Sequence, residues 1–143
     1  MNTATRRFEG FDLADSEEQI EALRDCIEQR IDELLEGSGE HTDLLSAAMR
    51  AGALSAGKRM RPLLVMLVAR DLGCTSPALV DVACAVEMVH AASLILDDMP
   101  CMDNARLRRG RPAIHVQYGE DVAILASVAL LSRAFGVLAT AGV

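Results

Sequence analysis

The chain has 143 residues, enough for one domain with a hydrophobic core, and 51% of them are apolar although it has one Tyr, three Phe and no Trp. Aliphatic side chains in this proportion favour packing of helix on helix, and we predict an all-α fold. The formal charge of −7 is uneven, because residues 1–45 hold 13 acidic and 4 basic side chains whereas residues 46–143 hold 8 and 10. The slightly basic remainder suits an anionic ligand, but it lacks the Lys and Arg runs typical of nucleic-acid binding.

The cysteine pattern indicates neither a zinc cluster nor a disulfide framework. The four cysteines have no C-x-x-C spacing and no histidines at zinc-ligand spacing. A reducing cytoplasm is therefore the expected location, and the N-terminal residues lack the apolar core of a secretory signal. The longest apolar stretch, residues 122–131, is shorter than the ~20 residues that span a membrane, so it predicts a buried helix.

The first predicted helix is amphipathic. Ser16 and Gln19 form a capping box at its start, and it is predicted to end near Gly37. Residues 1–15 are expected to be disordered or loosely packed. The apolar residues that recur at helical spacing are Ile20, Leu23, Ile27, Ile31 and Leu34.

Three further helices are predicted between this one and Pro100. One starts at Thr42, and the next has Pro62 as its first residue and Gly73 as its stop. The most apolar helix opens at Ser76 and should end at Met99, because the residue before a proline avoids the α conformation. Apolar residues cover nearly all of its faces, so it should lie inside the bundle.

The last part of the chain is predicted to hold one short and one long helix. Pro112 starts the short helix and Gly119 breaks it, after which Glu120 begins the long apolar helix.

Two carboxylates end the most apolar helix, and a third follows in a short loop. Asp97 and Asp98 stand where the helix macrodipole disfavours each exposed negative charge by up to ~1 kcal/mol. If Asp103 folds back towards them, repulsion among the three carboxylates adds to that cost. A bound divalent cation would make the electrostatic energy of the cluster favourable. A ligand set made only of oxygens points to Mg²⁺, which would also bind phosphate oxygens. Arg108 and Arg109 supply forked hydrogen-bond donors for such phosphates. A frayed, solvated helix end is the alternative interpretation.

A histidine and a basic loop complete the chemistry-bearing residues. His90 precedes Asp97 by seven positions, so both should lie on one helix face about 10 Å apart and line one cavity. In the loop AGKRMRP, Lys58 stands beside Arg59 and Arg61 at a helix N-terminus, where free N–H groups favour anions. The alternative for His90 is a core histidine that is hydrogen-bonded within the protein, and the alternative for AGKRMRP is an exposed basic loop. Together the elements suit two phosphorylated ligands, one held through metal and one by basic side chains alone.

These motifs together resemble those of the short-chain trans-isoprenyl diphosphate synthases, from about residue 41 onwards. GKRMRP resembles the G-K-x-x-R-P element of that family, and EMVHAASLILDDMPCMD resembles its histidine-containing helix and first aspartate-rich motif in the D-D-x-x-x-x-D form. LRRGRPAIH resembles the segment that follows. The nearest resemblance is to bacterial geranylgeranyl diphosphate synthases of carotenoid pathways, which implies a helical bundle of the isoprenoid synthase type.

The resemblance implies a role for each site residue. Asp97, Asp98 and Asp103 would be the catalytic carboxylates, holding Mg²⁺ against an allylic diphosphate that Arg108 also binds. The diphosphate of isopentenyl diphosphate would be held by Lys58, Arg61, His90 and Arg109. The implied reaction joins isopentenyl diphosphate to dimethylallyl, geranyl or farnesyl diphosphate, without a protein nucleophile, after metal-assisted departure of the allylic diphosphate.

The resemblance also bears on product length. Ala92 and Ser93 lie about one turn before Asp97, where a bulky aromatic residue tends to block the growing prenyl tail in the family. Both are small, so we expect geranylgeranyl diphosphate as product, with farnesyl diphosphate as the alternative. Small residues could equally serve close helix packing.

The sequence departs from the family pattern in two places. Asn104 stands where relatives often have another Asp, and the family's second aspartate-rich motif has no counterpart before Val143. We interpret residues 1–143 as the N-terminal part of a single domain, inactive alone and with core surface exposed, and expect the full-length protein to be a homodimer. Rival interpretations are a noncatalytic helical regulatory relative and another Mg²⁺ enzyme, such as a helical hydrolase or a terpene cyclase.

Overall fold

Six helices and one two-stranded hairpin make up the part of the chain that the structure describes, residues 13–36 and 43–141 of a computed structural model. The elements in chain order are α1 (Leu13–Leu35), α2 (Leu44–Ala53), α3 (Met60–Asp71), α4 (Leu79–Asp97), β1 (Leu107–Arg108), β2 (Arg111–Pro112), α5 (Ile114–Tyr118) and α6 (Glu120–Thr140). Each strand has only 2 residues. The predicted all-α fold is confirmed.

Helix α4 lies at the centre of the bundle. It contacts α1, α2, α3 and α6, and its most extensive contact is with α6. Alanine is common among the buried residues of both helices, and small side chains at a contact let two helix axes approach closely. The buried Ser127 hydroxyl of α6 donates a hydrogen bond of 3.0 Å to the carbonyl of Ala92. The prediction that this helix lies inside the bundle holds for most of its surface, but Val89 at 42% and Leu96 at 37% exposure lie on a face that stays open.

The apolar stripe of α1 faces this core. Ile27 and Ile31 are completely buried, and Leu35 continues the stripe at the same spacing of four residues. Ile20, Leu23 and Leu34 pack against the core while partly buried. Because each fully buried aliphatic side chain contributes about 1.5–3 kcal/mol, this stripe is sufficient to hold α1 on the bundle.

The predicted start of α1 is wrong. The helix begins at Leu13, so Ser16 is already inside it and is not its cap. Its last residue is Leu35, close to the predicted stop, and Gly37 lies outside the described residues. Of the segment 1–15, only its last three residues are described, and they are helical.

The starts of α2 and α3 also differ from the sequence prediction. Thr42 lies outside the described residues, and Asp43 caps α2 by accepting the backbone N–H of Ser46 at 2.6 Å. This bond holds the pKa of the Asp43 carboxyl below its usual value. Helix α3 begins at Met60, so Pro62 is its third residue and not its first. A proline fits there because N–H groups of the first turn have no partner within the helix.

The hairpin is the main element that the sequence prediction missed. Pro112 does not start a helix; it lies in β2 and pairs with Leu107 of β1. The turn between the strands has Arg109 at φ 52° and Gly110 at φ 78°, and two positive φ values characterise the type I′ turn of tight hairpins. The short helix begins only at Ile114.

The remaining helix boundaries follow the prediction closely. Gly73 and Gly119, both with positive φ, stand at the predicted breaks, and α6 begins at Glu120 as expected. Helix α4 ends at Asp97, two residues before the predicted Met99. Local sequence signals were therefore reliable where glycine was the stop.

Helices α4 and α6 both have the length and apolar composition of a membrane span. They are nonetheless each other's principal packing partners, which is the arrangement of core helices in a bundle. One face of α6 remains exposed and apolar, with Leu125 at 56%, Val128 at 57% and Phe135 at 68% exposure.

Candidate functional site

The loop after α4 folds back on the end of the helix. The Asp103 N–H donates to the carbonyl of Asp97 at 2.9 Å, and the Ala105 N–H donates to the carbonyl of Asp98 at 3.1 Å. Asn104 takes a positive φ of 50° to complete this return. Asp103 is thereby tied to Asp97 through the backbone.

The three carboxylates do not converge on one point. Within residues 13–36 and 43–141, no group of three His, Cys, Asp or Glu side chains could together hold a metal ion. Asp97 and Asp103 are exposed, whereas Asp98 is buried with 2% exposure. The expected trio therefore divides into two outward carboxylates and one inward carboxylate.

Asp98 faces Arg108 of β1. The Arg108 Nε donates to Asp98 Oδ2 at 2.6 Å, and Nη2 donates to Oδ1 at 2.6 Å. This forked pairing raises the pKa of Arg108, and the nearby charges of Asp97 and Asp103 act in the same direction. Two groups that were expected to bind metal and diphosphate separately are paired with each other, which explains why Asp98 lies apart from the other carboxylates.

A cavity of about 530 Å³ lies between the basic loop, α4 and the hairpin. Lys58 reaches it from the loop, Arg61 from the first turn of α3, His90 from α4 and Arg109 from the hairpin turn. The structure thus brings together all four residues that the resemblance implied for isopentenyl diphosphate. Because three of the four carry a positive charge, the cavity favours an anion.

The surroundings of His90 lower the pKa of its imidazole and so favour the neutral ring. Partial burial is the main cause that lowers its pKa, and the charges of Arg61, Arg109 and Arg108 lower it further, against an opposing effect of Glu87. The distance from Arg61 Nη1 to His90 Nε2 is 3.2 Å. A neutral ring can accept this hydrogen bond, and His90 then orients a guanidinium beside the cavity.

Arg109 joins the hairpin to the basic loop. Its Nη1 donates to the carbonyl of Ala56, and the guanidinium lies directly against the α-carbon of Gly57. A Cβ at this position would overlap the guanidinium. A side chain at position 57 would therefore force the flexible end of Arg109 to move.

The residues that anchor the basic loop to α1 and α4 were not predicted. Arg59 is 4% exposed and binds two carboxylates, Glu28 of α1 and Glu87 of α4. Nothing in the loop distinguished Arg59 from its basic neighbours. The available signal was Glu87, an acidic residue within an otherwise apolar helix, because such a residue needs a partner when buried.

The expectation that His90 and Asp97 line one cavity stays a prediction. His90 lines the cavity of the basic loop, whereas Asp97 lines neither of the two best-defined cavities among the described residues. The loop and Arg109 enclose the region around His90, and Asp97 lies two turns further along α4 at its exposed end.

The two residues assigned to product length differ in burial. Ala92 is completely buried, and its carbonyl is hydrogen-bonded to α6. Ser93 is exposed on α4, and its hydroxyl donates to the carbonyl of His90 at 2.7 Å. Of these two residues, Ser93 is the one that lies on the exposed face of α4.

A second cavity of about 220 Å³ lies on the other side of the Asp98–Arg108 pair. Ile95 and Ile114 form part of its apolar lining, and Tyr118 is at its edge. Arg108 therefore borders an enclosed space next to the carboxylate end of α4.

The model that describes the polyprenyl synthetase family matches residues 42–142. The chain belongs to the polyprenyl synthetase family. Every residue that was predicted to bind metal or substrate lies within the matched region, as does the hairpin that carries Arg108 and Arg109.

Two curated relatives in this family are geranylgeranyl diphosphate synthases of bacteria. The one from Pantoea ananas is 66% identical over 123 residues, which cover 85% of this chain and 40% of the relative. The one from Pseudescherichia vulneris is 55% identical over 126 residues, or 87% of this chain and 41% of the relative. The chain thus spans about two fifths of the length of these relatives.

Solved structures of polyprenyl synthetases show the same fold. A geranyltranstransferase of Thermotoga maritima superposes with a TM-score of 0.81 at 44% identity, covering 87% of this chain and 46% of that chain. A farnesyl and geranylfarnesyl diphosphate (FPP/GFPP) synthase of Zymomonas mobilis superposes with a TM-score of 0.81 at 36% identity, covering 88% of this chain and 45% of that chain. The fold is therefore that of the isoprenoid synthases.

Proposed function

We propose that this chain forms part of the active site of a trans-prenyltransferase that makes geranylgeranyl diphosphate from isopentenyl diphosphate and an allylic diphosphate. The observation that carries the proposal is the cavity at which Lys58, Arg61, His90 and Arg109 meet. These residues come from a loop, α3, α4 and the hairpin turn, so their convergence is a property of the fold. The names of the bacterial relatives support the geranylgeranyl product.

The isopentenyl diphosphate would bind in this cavity through its diphosphate. Lys58 offers a compact charge and Arg61 a forked donor, and both are exposed at the N-terminal end of α3. His90 keeps Arg61 oriented without adding a charge. Binding by basic side chains alone leaves the carbon chain free to lie along the open face of α4.

The donor set at the end of α4 fits Mg²⁺. Asp97 ends α4 and Asp103 lies in the loop that is hydrogen-bonded back to it, and both are exposed. Mg²⁺ in proteins is commonly held by one or two carboxylates together with waters and substrate phosphates. Bound there, the metal would supply the positive charge that stabilises a departing diphosphate. Asp98 would act differently, by keeping the Arg108 guanidinium aimed at the same group.

The proposed reaction breaks the bond between the allylic carbon and its diphosphate oxygen, and the electron pair leaves with the diphosphate. The double bond of isopentenyl diphosphate then attacks the allylic carbon, and loss of a proton restores a double bond. The residues of this chain hold both diphosphates and keep the two carbon chains on the apolar side of the site. Exclusion of water there would protect the allylic cation from hydrolysis.

A chimera tests the proposal directly. In it, this chain replaces the matching 123-residue region of the Pantoea ananas relative, and the product is separated by chain length after incubation with labelled isopentenyl diphosphate and each allylic diphosphate. We expect geranylgeranyl diphosphate, formed only with a divalent cation. A folded chimera that forms no condensation product would overturn the proposal.

Farnesyl diphosphate is the second candidate product, because the solved structure from Thermotoga maritima is named a geranyltranstransferase. Ser93→Tyr in the chimera distinguishes the two, since Ser93 is exposed on α4 whereas Ala92 is enclosed by α6. We expect Ser93→Tyr to shorten the product. Ala92→Tyr instead overpacks the contact between α4 and α6, at a cost of about 1–3 kcal/mol or more.

The setting of the enzyme is also part of the proposal. All four cysteines lie in the described part of the chain, where they are free thiols, and this agrees with the predicted reducing cytoplasm. A role in carotenoid biosynthesis and a homodimeric assembly rest on the family resemblance alone. The inactivity of residues 1–143 by themselves likewise stays a prediction.

A further inference from the structure

Arg59 stands between two exposed basic residues of the loop but points the other way. It is 4% exposed, whereas Lys58 and Arg61 are exposed. Its Nε donates to Glu28 at 3.0 Å, its Nη1 to Glu87 at 2.9 Å and its Nη2 to the carbonyl of Ser55 at 2.9 Å. All three nitrogens of the guanidinium are thus engaged within the chain.

The backbone at Arg59 has a left-handed conformation. Its φ is 50° and its ψ is 36°, and it is the N-cap of α3. Non-glycine residues adopt this conformation only when their surroundings hold them in it. Lys58 precedes Arg59 by one position and Arg61 follows it by two. The change of chain direction at Arg59 places both at the same cavity.

The partners of Arg59 connect the loop to two helices. Glu87 is 5% exposed and lies on α4 three residues before His90. Glu28 lies on α1, which otherwise takes no part in the site. A buried ion pair of this kind is weak evidence for stability, and its best-attested use is to specify one arrangement among several.

We propose that Arg59 is a positioning residue for the isopentenyl diphosphate cavity, with α1 taking part through Glu28. It holds the loop in the one conformation in which Lys58 and Arg61 face the same anion. This inference rests on the proposed function, because it assigns the cavity to a diphosphate. Arg59 also lines the cavity, but its guanidinium is engaged by Glu28, Glu87 and the carbonyl of Ser55, so we assign it no bond to the ligand.

The chain offers a matched control in Arg30. Arg30 also lies on α1 and pairs with α4, through Asp81 at 2.7 Å, but it is remote from the cavity. Arg59→Gln and Arg30→Gln each remove a guanidinium that links α1 to α4. Only the first should disturb the basic loop.

The experiment measures binding of isopentenyl diphosphate to the 143-residue chain by calorimetry, together with the melting temperature of each variant. We expect Arg59→Gln to weaken binding at least tenfold and Arg30→Gln to leave it within twofold, although both lower the melting temperature. In the active chimera, Arg59→Gln should raise the KM for isopentenyl diphosphate while the KM for the allylic diphosphate stays within twofold. Loss of general stability alone would reduce the amount of active enzyme and so lower the maximal rate, with both KM values unchanged.

Glu28→Gln serves where Arg59→Gln does not fold, because Glu28 is the more exposed partner, at 41% of its side chain. We expect a smaller loss in the same direction, several-fold in affinity. Unchanged binding by a folded Arg59 or Glu28 variant, or equal losses in the Arg59 and Arg30 variants, would overturn the inference alone. Failure of the unsubstituted chain and of the unsubstituted chimera to use isopentenyl diphosphate would overturn the proposed function and this inference with it.

Discussion

The two diphosphate-facing regions of this chain are organised in opposite ways. In the basic cavity, positive charges from separate parts of the chain already face one space, and Arg61 and Arg109 are held there by His90 and by the carbonyl of Ala56. At the carboxylate end of α4, Asp98 is paired with Arg108, and Asp97 and Asp103 remain exposed. Like charges are therefore brought together only where internal hydrogen bonds and ion pairs position them. The carboxylate end depends on a charge from outside the chain.

Removing the outward carboxylates should have the largest effect. We expect Asp97→Asn and Asp103→Asn in the chimera each to lower kcat by about 10²–10³, the usual loss for one electrostatic group at a transition state. Asp25→Asn, an exposed site on α1, is the control and should leave kcat unchanged. Steady-state kinetics across a Mg²⁺ titration make the measurement, and full activity in both variants would show that these carboxylates hold no metal.

The inward carboxylate should behave as a structural partner of Arg108. Asp98→Asn places an amide NH₂ against the guanidinium, so we expect a loss of about 1.5–3 kcal/mol in the free energy of unfolding, typical of a lost hydrogen bond to a charged group. Asp81→Asn breaks the comparable pair with Arg30 and is the control. Urea unfolding measures both losses.

Asp98→Asn and Asp81→Asn should differ in their affinity for farnesyl diphosphate. Only Asp98→Asn should weaken it, because only this carboxylate aims a residue of the site. Equal affinities in the two variants would show that the Asp98–Arg108 pair serves stability alone.

Gly57→Ala tests the contact between the hairpin and the basic loop. The new Cβ would displace the flexible end of Arg109, so we expect a loss of only about 1 kcal/mol in stability but a several-fold weaker binding of isopentenyl diphosphate. Gly136→Ala is the control, since nothing lies within 4 Å of the added Cβ, and it should raise stability by about 0.5–1 kcal/mol. Thermal unfolding and calorimetry distinguish the two, and unaltered binding by Gly57→Ala would contradict the assigned contact.

The smallest expected effect concerns pH. Because the pKa of His90 is lowered in the folded chain, the unfolded chain takes up this proton first. The free energy of unfolding should therefore fall as the pH drops below about 6.5. His90→Gln removes this contribution, so its stability should depend less on pH between 7 and 5.5. Parallel pH profiles for the two proteins would show that burial does not hold His90 neutral.

Much of the fold could be predicted from local sequence signals. The apolar stripe of α1, the glycine stops and the buried α4 each depend on residues a few positions apart. Ser16 failed as a cap, although it has the right spacing to Gln19, because α1 begins earlier at Leu13. Pro112 failed as a helix start because the turn at Arg109 and Gly110 pairs its strand with β1.

The chemistry of the site was determined by the sequence: a carboxylate helix end, a basic loop with the only lysine, and a histidine on an apolar helix. The tertiary structure alone decided which of several like neighbours faces the site. Arg59 turns inward and Arg61 outward, and Asp98 turns inward and Asp97 outward. The partners that select between them are distant in the chain, as with Arg59 and Glu28, 31 positions apart. A buried charge must find an opposite charge in three dimensions, and no local pattern records where that partner lies.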